Sequence, residues 1–192
     1  MLLSVWFMSM AIIGWSQQSI VIPDFTLRST ADTMVSLTNY PSAKGFMVIF
    51  TCNHCPFAKL YPERMNRLSE KYAPLGVPLL AINSMDSVLY EEESFFKMQR
   101  KAKKENFKYP YLQDASQSVG KLFGAEHTPQ AFVIWKEDAK WMVKYSGAID
   151  DNGENSDIAK SFVAQAVDDL LSGIPVSQSS TASFGCRIFY RK

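Results

Sequence analysis

The sequence is short of cysteine, histidine, net charge and long apolar runs, and each shortage narrows what the chain can be. Its three cysteines are too few for the disulfide framework of a small secreted scaffold. Two of them, Cys52 and Cys55, stand two residues apart and only Cys186 is left over, a pattern that points to chemistry rather than stapling. The only histidines are His54 and His127, and no second Cys or His pair completes a four-ligand structural zinc site. Twenty basic residues balance nineteen acidic ones. A net charge of +1 leaves no electrostatic reason to expect nucleic acid or an anionic membrane surface, so small molecules or other proteins are the expected partners.

The longest apolar run, Leu2 to Ile13, is shorter than the roughly 20 residues a membrane-spanning helix needs, so no stable membrane span is expected. It is followed by Gly14-Trp15-Ser16, whose small residues suit cleavage before Gln17, and residues 1–16 read as a signal peptide. The basic start usual in such segments is missing, the first basic residue being Arg28; a buried N-terminal segment is the competing reading. A cleavable signal makes the protein exported, periplasmic or secreted. Of the 192 residues, 17–172 then form one domain and 173–192 a tail containing Cys186.

Along the mature chain, Ile20 to Leu27 alternates around Pro23 as a short edge segment, and Val35 to Leu37 is a second short strand. Gly45 to Phe50 is a continuous apolar run, the pattern of a central strand buried on both faces. It ends directly at Thr51-Cys52. After Pro56, Leu60, Met65, Leu68 and Tyr72 recur at helical spacing until Pro74 and Gly76. Val77 to Ile82 reads as a strand, Glu91 to Lys104 as an amphipathic helix and Ser116 to Phe123 as a short helix. Ala131 to Trp135 and Trp141 to Tyr145 form a hairpin, and Ile158 to Leu171 carries a helical apolar stripe. Alternating strands and helices predict an α/β fold with a central mixed sheet flanked by helices.

Two cysteines separated by two residues close a disulfide only where the backbone turns tightly, and the order strand, Cys52, Cys55, helix supplies such a turn. Positive charge and unpaired N–H groups at a helix N-terminus stabilise a thiolate, which predicts Cys52 as the attacking thiol and Cys55 as the resolving one. Attack on a substrate disulfide gives a mixed disulfide that Cys55 then resolves. His54 between them is a candidate tuner of the pair. Half of a zinc site, or two inert buried cysteines, are the alternatives.

The motifs resemble those of thioredoxin-like redoxins of the AhpC/TSA type. Ile22-Pro23-Asp24-Phe25-Thr26-Leu27 is similar to their opening motif, and Phe50-Thr51-Cys52-Asn53-His54-Cys55-Pro56-Phe57 to a Cys-Asn-His-Cys-Pro subgroup. Ala81 to Ser84, Tyr109 to Asp114, Gly147 to Asp151 and Phe184-Gly185-Cys186 also resemble that subgroup. The resemblance implies a thioredoxin-like fold, a thiol–disulfide oxidoreductase acting on protein or small-molecule thiols and disulfides with a separate recycling partner, and no cofactor. It also implies that Thr128-Pro129 is the cis-proline loop that docks substrate, with His127 beside it. Two departures stand out. Phe46 occupies the position where thioredoxins place a buried carboxylate, which leaves no proton acceptor for Cys55, and no Pro-x-x-x-Thr-x-x-Cys motif precedes Cys52, which disfavours peroxide reduction by that mechanism.

Alternatives remain open. A peroxiredoxin-like antioxidant peroxidase is one, and a soft-metal (copper) carrier using Cys52, Cys55 and His127, with His54 nearby, is another. Cys186 is a third redox thiol, a partner for intermolecular pairing, or a small hydrophobe over the core. The Glu91-Glu92-Glu93 run reads as the solvated first turn of a helix, and Asp150 to Gly153 as a surface turn with a faint likeness to a calcium loop.

Overall fold

The computed structural model describes residues 20–192; residues 1–16, read above as a signal peptide, lie outside them. The described residues form ten strands: β1 (Val21–Ile22), β2 (Thr26–Ser29), β3 (Met34–Ser36), β4 (Gly45–Phe50), β5 (Leu79–Asn83), β6 (Tyr111–Gln113), β7 (His127–Thr128), β8 (Gln130–Glu137), β9 (Lys140–Gly147) and β10 (Cys186–Arg187). Four α-helices accompany them: α1 (Pro62–Tyr72), α2 (Phe95–Lys104), α3 (Ser118–Phe123) and α4 (Phe162–Leu171). Eight strands make one sheet in the order β1-β9-β8-β4-β5-β6-β2-β3, while β7 and β10 pair separately. β4, β5 and β6 run parallel and the remaining neighbours are antiparallel, so the predicted mixed α/β sheet is present.

Every residue of β4 is buried, as its unbroken apolar run requires of a strand covered on both sides. Period-2 alternation divides the core accordingly. Phe46, Val48 and Phe50 pack with Phe123 of α3, whereas Met47 and Ile49 pack with Met65 of α1 and Val163 and Val167 of α4. The first face has only the short α3 and is completed by Phe25, Leu27 and the C-terminal segment, whose Ile188 is 3% exposed. That segment is anchored throughout. Ile188 N–H donates to Glu126 O at 2.8 Å, the Tyr190 hydroxyl to Ala125 O at 2.6 Å, and Gln117 Nε2 to Phe189 O at 2.9 Å.

Several boundaries differ from the sequence reading. The helix after the dithiol starts at Pro62, later than expected, because a 3₁₀ turn at Ala58–Leu60 comes first; Pro62, with no N–H to satisfy, suits the first helical position. Tyr111–Gln113 joins the sheet as a strand, a short piece held by β5 and β2 on either side. Asp150 is buried rather than part of a surface turn, accepting from Arg64 Nη1 at 2.8 Å and from the Tyr61 hydroxyl at 3.1 Å.

Candidate active site

The site lies at the carboxyl ends of β4 and β5, where the chain leaves the sheet and side chains from several loops can converge. Thr51 N–H donates to Ile82 O at 2.9 Å, extending the β4–β5 ladder to the residue before Cys52 and fixing where that cysteine emerges. Cys52 and Cys55 are both 0% exposed. Facing them is the Thr128-Pro129 peptide, which is cis, as the resemblance implied. Cys52 Sγ lies 3.1 Å from Thr128 Oγ1, and Cys55 Sγ donates to Thr128 O at 3.1 Å. Residues 76 and 73 positions apart in sequence thus make one site.

The buried carboxylate missing from Phe46 comes from elsewhere. Phe46 is a core aromatic, packed edge-on between Tyr40 and Trp141. Glu93, expected as part of a solvated helical turn, is 1% exposed. Glu91–Glu93 is a separate 3₁₀ turn before α2, and its last side chain turns inward beneath the dithiol loop. Glu93 accepts the backbone N–H groups of Asn53 at 2.9 Å and His54 at 2.9 Å, His54 Nδ1 at 2.5 Å, and Asn83 Nδ2 at 2.6 Å. His54 is also stacked on Tyr90, with ring centroids 4.9 Å apart. The Tyr111 hydroxyl donates to Asn53 Oδ1 at 2.9 Å, and Lys101 Nζ donates to Cys52 O at 3.0 Å.

The two cysteines are coupled and cannot both ionise cheaply, so the first ionisation of the pair falls and the second rises. Contact with Cys55, burial and the Glu93 charge push the Cys52 thiol up. Contact with Cys52 draws Cys55 down to about 4, aided by the Cys186 thiol and the N–H groups of Ala58 and Cys186 and opposed by burial. A helix terminus was expected to serve Cys52, but the amides of Asn53 and His54 are taken by Glu93, and α1 begins only at Pro62.

His127 occupies β7 with its Nδ1 3.2 Å from Ser183 Oγ, while the Gln130 side chain accepts its N–H and that of Glu126, shaping the cis-proline loop. A metal-ligand cluster does form among the described residues, but it joins Cys52 to His54 and Glu93, all ligand atoms within 4.8 Å, and does not include His127. Beside the dithiol, an open cleft of about 450 Å³ is lined by Asn53, His54 and four lysines, Lys59, Lys97, Lys101 and Lys104, with Glu92 and Glu105. Another, of about 480 Å³ between Trp135, Val143 and Pro175, holds neither cysteine nor histidine and so no thiol chemistry.

Glu93, Asn83, Tyr111, Lys101 and Gln130 were not read as site residues. Asn83 alone carried a local signal, a polar side chain closing the otherwise apolar run of β5.

The model of the AhpC/TSA family matches residues 20–144, and the chain belongs to that family. Two solved structures are similar over nearly their whole lengths. A hypothetical protein from Sinorhizobium meliloti 1021 is 31% identical, with 90% of this chain and 94% of that one covered at a TM-score of 0.81. An uncharacterized conserved protein from Geobacillus kaustophilus is 34% identical, with 88% and 89% covered at a TM-score of 0.79. The exposed lipoprotein thioredoxin of Streptococcus pneumoniae strain TIGR4 shares the fold at 15% identity, with 79% and 100% covered and a TM-score of 0.58. No curated protein matches the chain. The chain is a thioredoxin-like redoxin of the AhpC/TSA type.

Proposed function

We propose that this member of the AhpC/TSA family is an exported thiol–disulfide oxidoreductase working through Cys52 and Cys55. One observation carries the reading: the sulfurs of Cys52 and Cys55 both lie 3.1 Å from Thr128, one at its hydroxyl and one at its carbonyl, at a cis-proline loop. With Cys52 ionised and Cys55 protonated, the Thr128 hydroxyl donates to the Cys52 thiolate. The Cys52 thiolate then attacks one sulfur of a substrate disulfide; the other leaves as a thiolate that takes up a proton from solvent, and a mixed disulfide forms. Cys55 attacks Cys52 Sγ, the Cys52–Cys55 bond forms, and the reduced substrate departs. Thr128-Pro129 is the docking loop, with His127 at its edge, and His54, tied to Glu93, holds the dithiol turn in place. The basic cleft beside Cys52 suits an acidic substrate or recycling partner.

Equilibration against glutathione tests the reading. A single reversible disulfide within residues 45–59, lost in Cys52→Ser and in Cys55→Ser, is expected; thiols that stay reduced across the whole series overturn it. Trapping assigns the roles, since Cys55→Ser should accumulate a mixed disulfide on Cys52 and Cys52→Ser should not. Export is tested by N-terminal sequencing of protein recovered from its native host. Gln17 as the first residue supports it, and a retained Met1 removes it.

A further inference from the structure

One thiol at the site has no part in this scheme. β10 runs antiparallel to β7 with Cys186 opposite Thr128 and Arg187 opposite His127. The tail therefore fills the place beside Pro129 where the extended backbone of a substrate would pair. Its fit is close: Gly185 has φ +148°, and a Cβ there would collide with the Thr128 carbonyl oxygen, so only glycine lets the strand lie so near the loop. Thr128 Oγ1 is 3.4 Å from Cys186 O, and both the thiol and the N–H of Cys186 face the Cys55 sulfur. Three sulfurs thus converge on one peptide. Cys52 and Cys55 are fully buried, whereas Cys186 is only partly so.

We propose that Cys186 is a third redox-active thiol that exchanges with Cys55, moving the disulfide from the buried pair to a position that solvent reaches. The proposal rests on the dithiol reading above. In the oxidised pair, Cys186 sulfur attacks Cys55 Sγ; the Cys55–Cys186 bond forms as the Cys52–Cys55 bond breaks. Cys52 leaves with the bonding electrons and takes up the proton that Cys186 gives up. One disulfide exists before and after, so no external oxidant or reductant is consumed. In the reduced protein, burial and the Cys55 contact push the Cys186 thiol up to about 12. The partner that recycles the protein then meets Cys186, not the enclosed pair.

Tryptic mapping separates the outcomes, because Cys52 and Cys55 share peptide 45–59 while Cys186 lies in 161–187. The full chain is equilibrated in a glutathione series, quenched in acid, alkylated and digested. The expected result is a cross-link between the two peptides, localised to Cys55 by fragmentation, alongside the internal 45–59 disulfide. Cys52→Ser should convert the oxidised protein wholly to the cross-linked form, and Cys186→Ser should abolish the cross-link while keeping the internal disulfide. An internal disulfide with Cys186 always alkylated overturns the proposal and leaves the dithiol reading standing; a cross-link through Cys52 overturns it too. Absence of any disulfide removes both. Should Cys52→Ser not fold, the wild-type digest decides alone.

Discussion

The carboxylate of Glu93 accepts the N–H of Asn53 at 2.9 Å across forty residues of sequence, and this contact sets the character of the dithiol. Donors that could support a Cys52 thiolate are spent on a neighbouring carboxylate, whose charge also opposes ionisation of Cys52. In return the loop between the cysteines is pinned by three bonds to one buried side chain, which Asn83 Nδ2 of β5 holds in turn. Removing that side chain strands the Asn53, His54 and Asn83 donors, and a group of this kind left without partners costs several kcal/mol.

Glu93→Ala should therefore lower stability by about 3 kcal/mol. Glu93→Gln, which keeps one acceptor oxygen and removes the charge, should cost less and make Cys52 ionise more readily. Chemical denaturation measures the first effect and the pH dependence of insulin reduction the second. An alanine variant as stable as wild type would show that the carboxylate does not hold the loop.

At the cis-proline loop, Thr128→Val keeps the shape and deletes the hydroxyl 3.1 Å from Cys52. That hydroxyl is the side chain that lowers the Cys52 value, so its loss should slow disulfide reduction by about tenfold, the equivalent of one hydrogen bond of roughly 1.4 kcal/mol. Steady-state insulin reduction reads this directly. An unchanged rate would take Thr128 out of the exchange step.

Gly185→Ala forces a side chain into a left-handed backbone and against the Thr128 carbonyl. The tail should lift from the loop at a cost of about 1–3 kcal/mol, and Cys52 and Cys55 should become reactive to alkylating reagents in the native protein. Thiol counting with and without denaturant tests it. Thiols as protected as in wild type would mean that the tail is not what encloses them.

The reduced protein should show a pH dependence of stability with a definite sign. Between about 4 and the ordinary cysteine value of 9.0, folded Cys55 has released a proton that the unfolded chain keeps, so this contribution grows as pH rises and is lost as pH falls toward 4. Cys186 acts the other way. From 9.0 to about 12 the folded state keeps a proton on Cys186 that the unfolded chain has lost, and Cys52, also pushed up, adds to the same decline above 9.0. Thermal melts of reduced wild type, Cys55→Ser and Cys186→Ser at constant ionic strength separate the two, and differences that do not vary with pH would contradict them.

The sequence by itself determined what depends on neighbours along the chain. Six apolar residues in a row make β4 a strand buried on both faces, Cys52 and Cys55 are held in one turn by their spacing, and Thr128-Pro129 is legible as the cis-proline loop through the family resemblance. Ten strands arose where only some were read, because pieces as short as β6, β7 and β10 owe their pairing to partners rather than to their own pattern. Only the tertiary structure decided the chemistry around the sulfurs. An acidic run ahead of a helix looks the same in sequence whether its last side chain meets water or, as with Glu93, meets amides forty residues away. Likewise a Ser-, Pro- and Gly-rich stretch ending in Cys186 carries no local sign that it returns to Thr128, 58 residues back. Burial, coupled ionisation and the choice of which thiol bears the charge are set by distances in space, and those exist only once the sheet has brought the loops together.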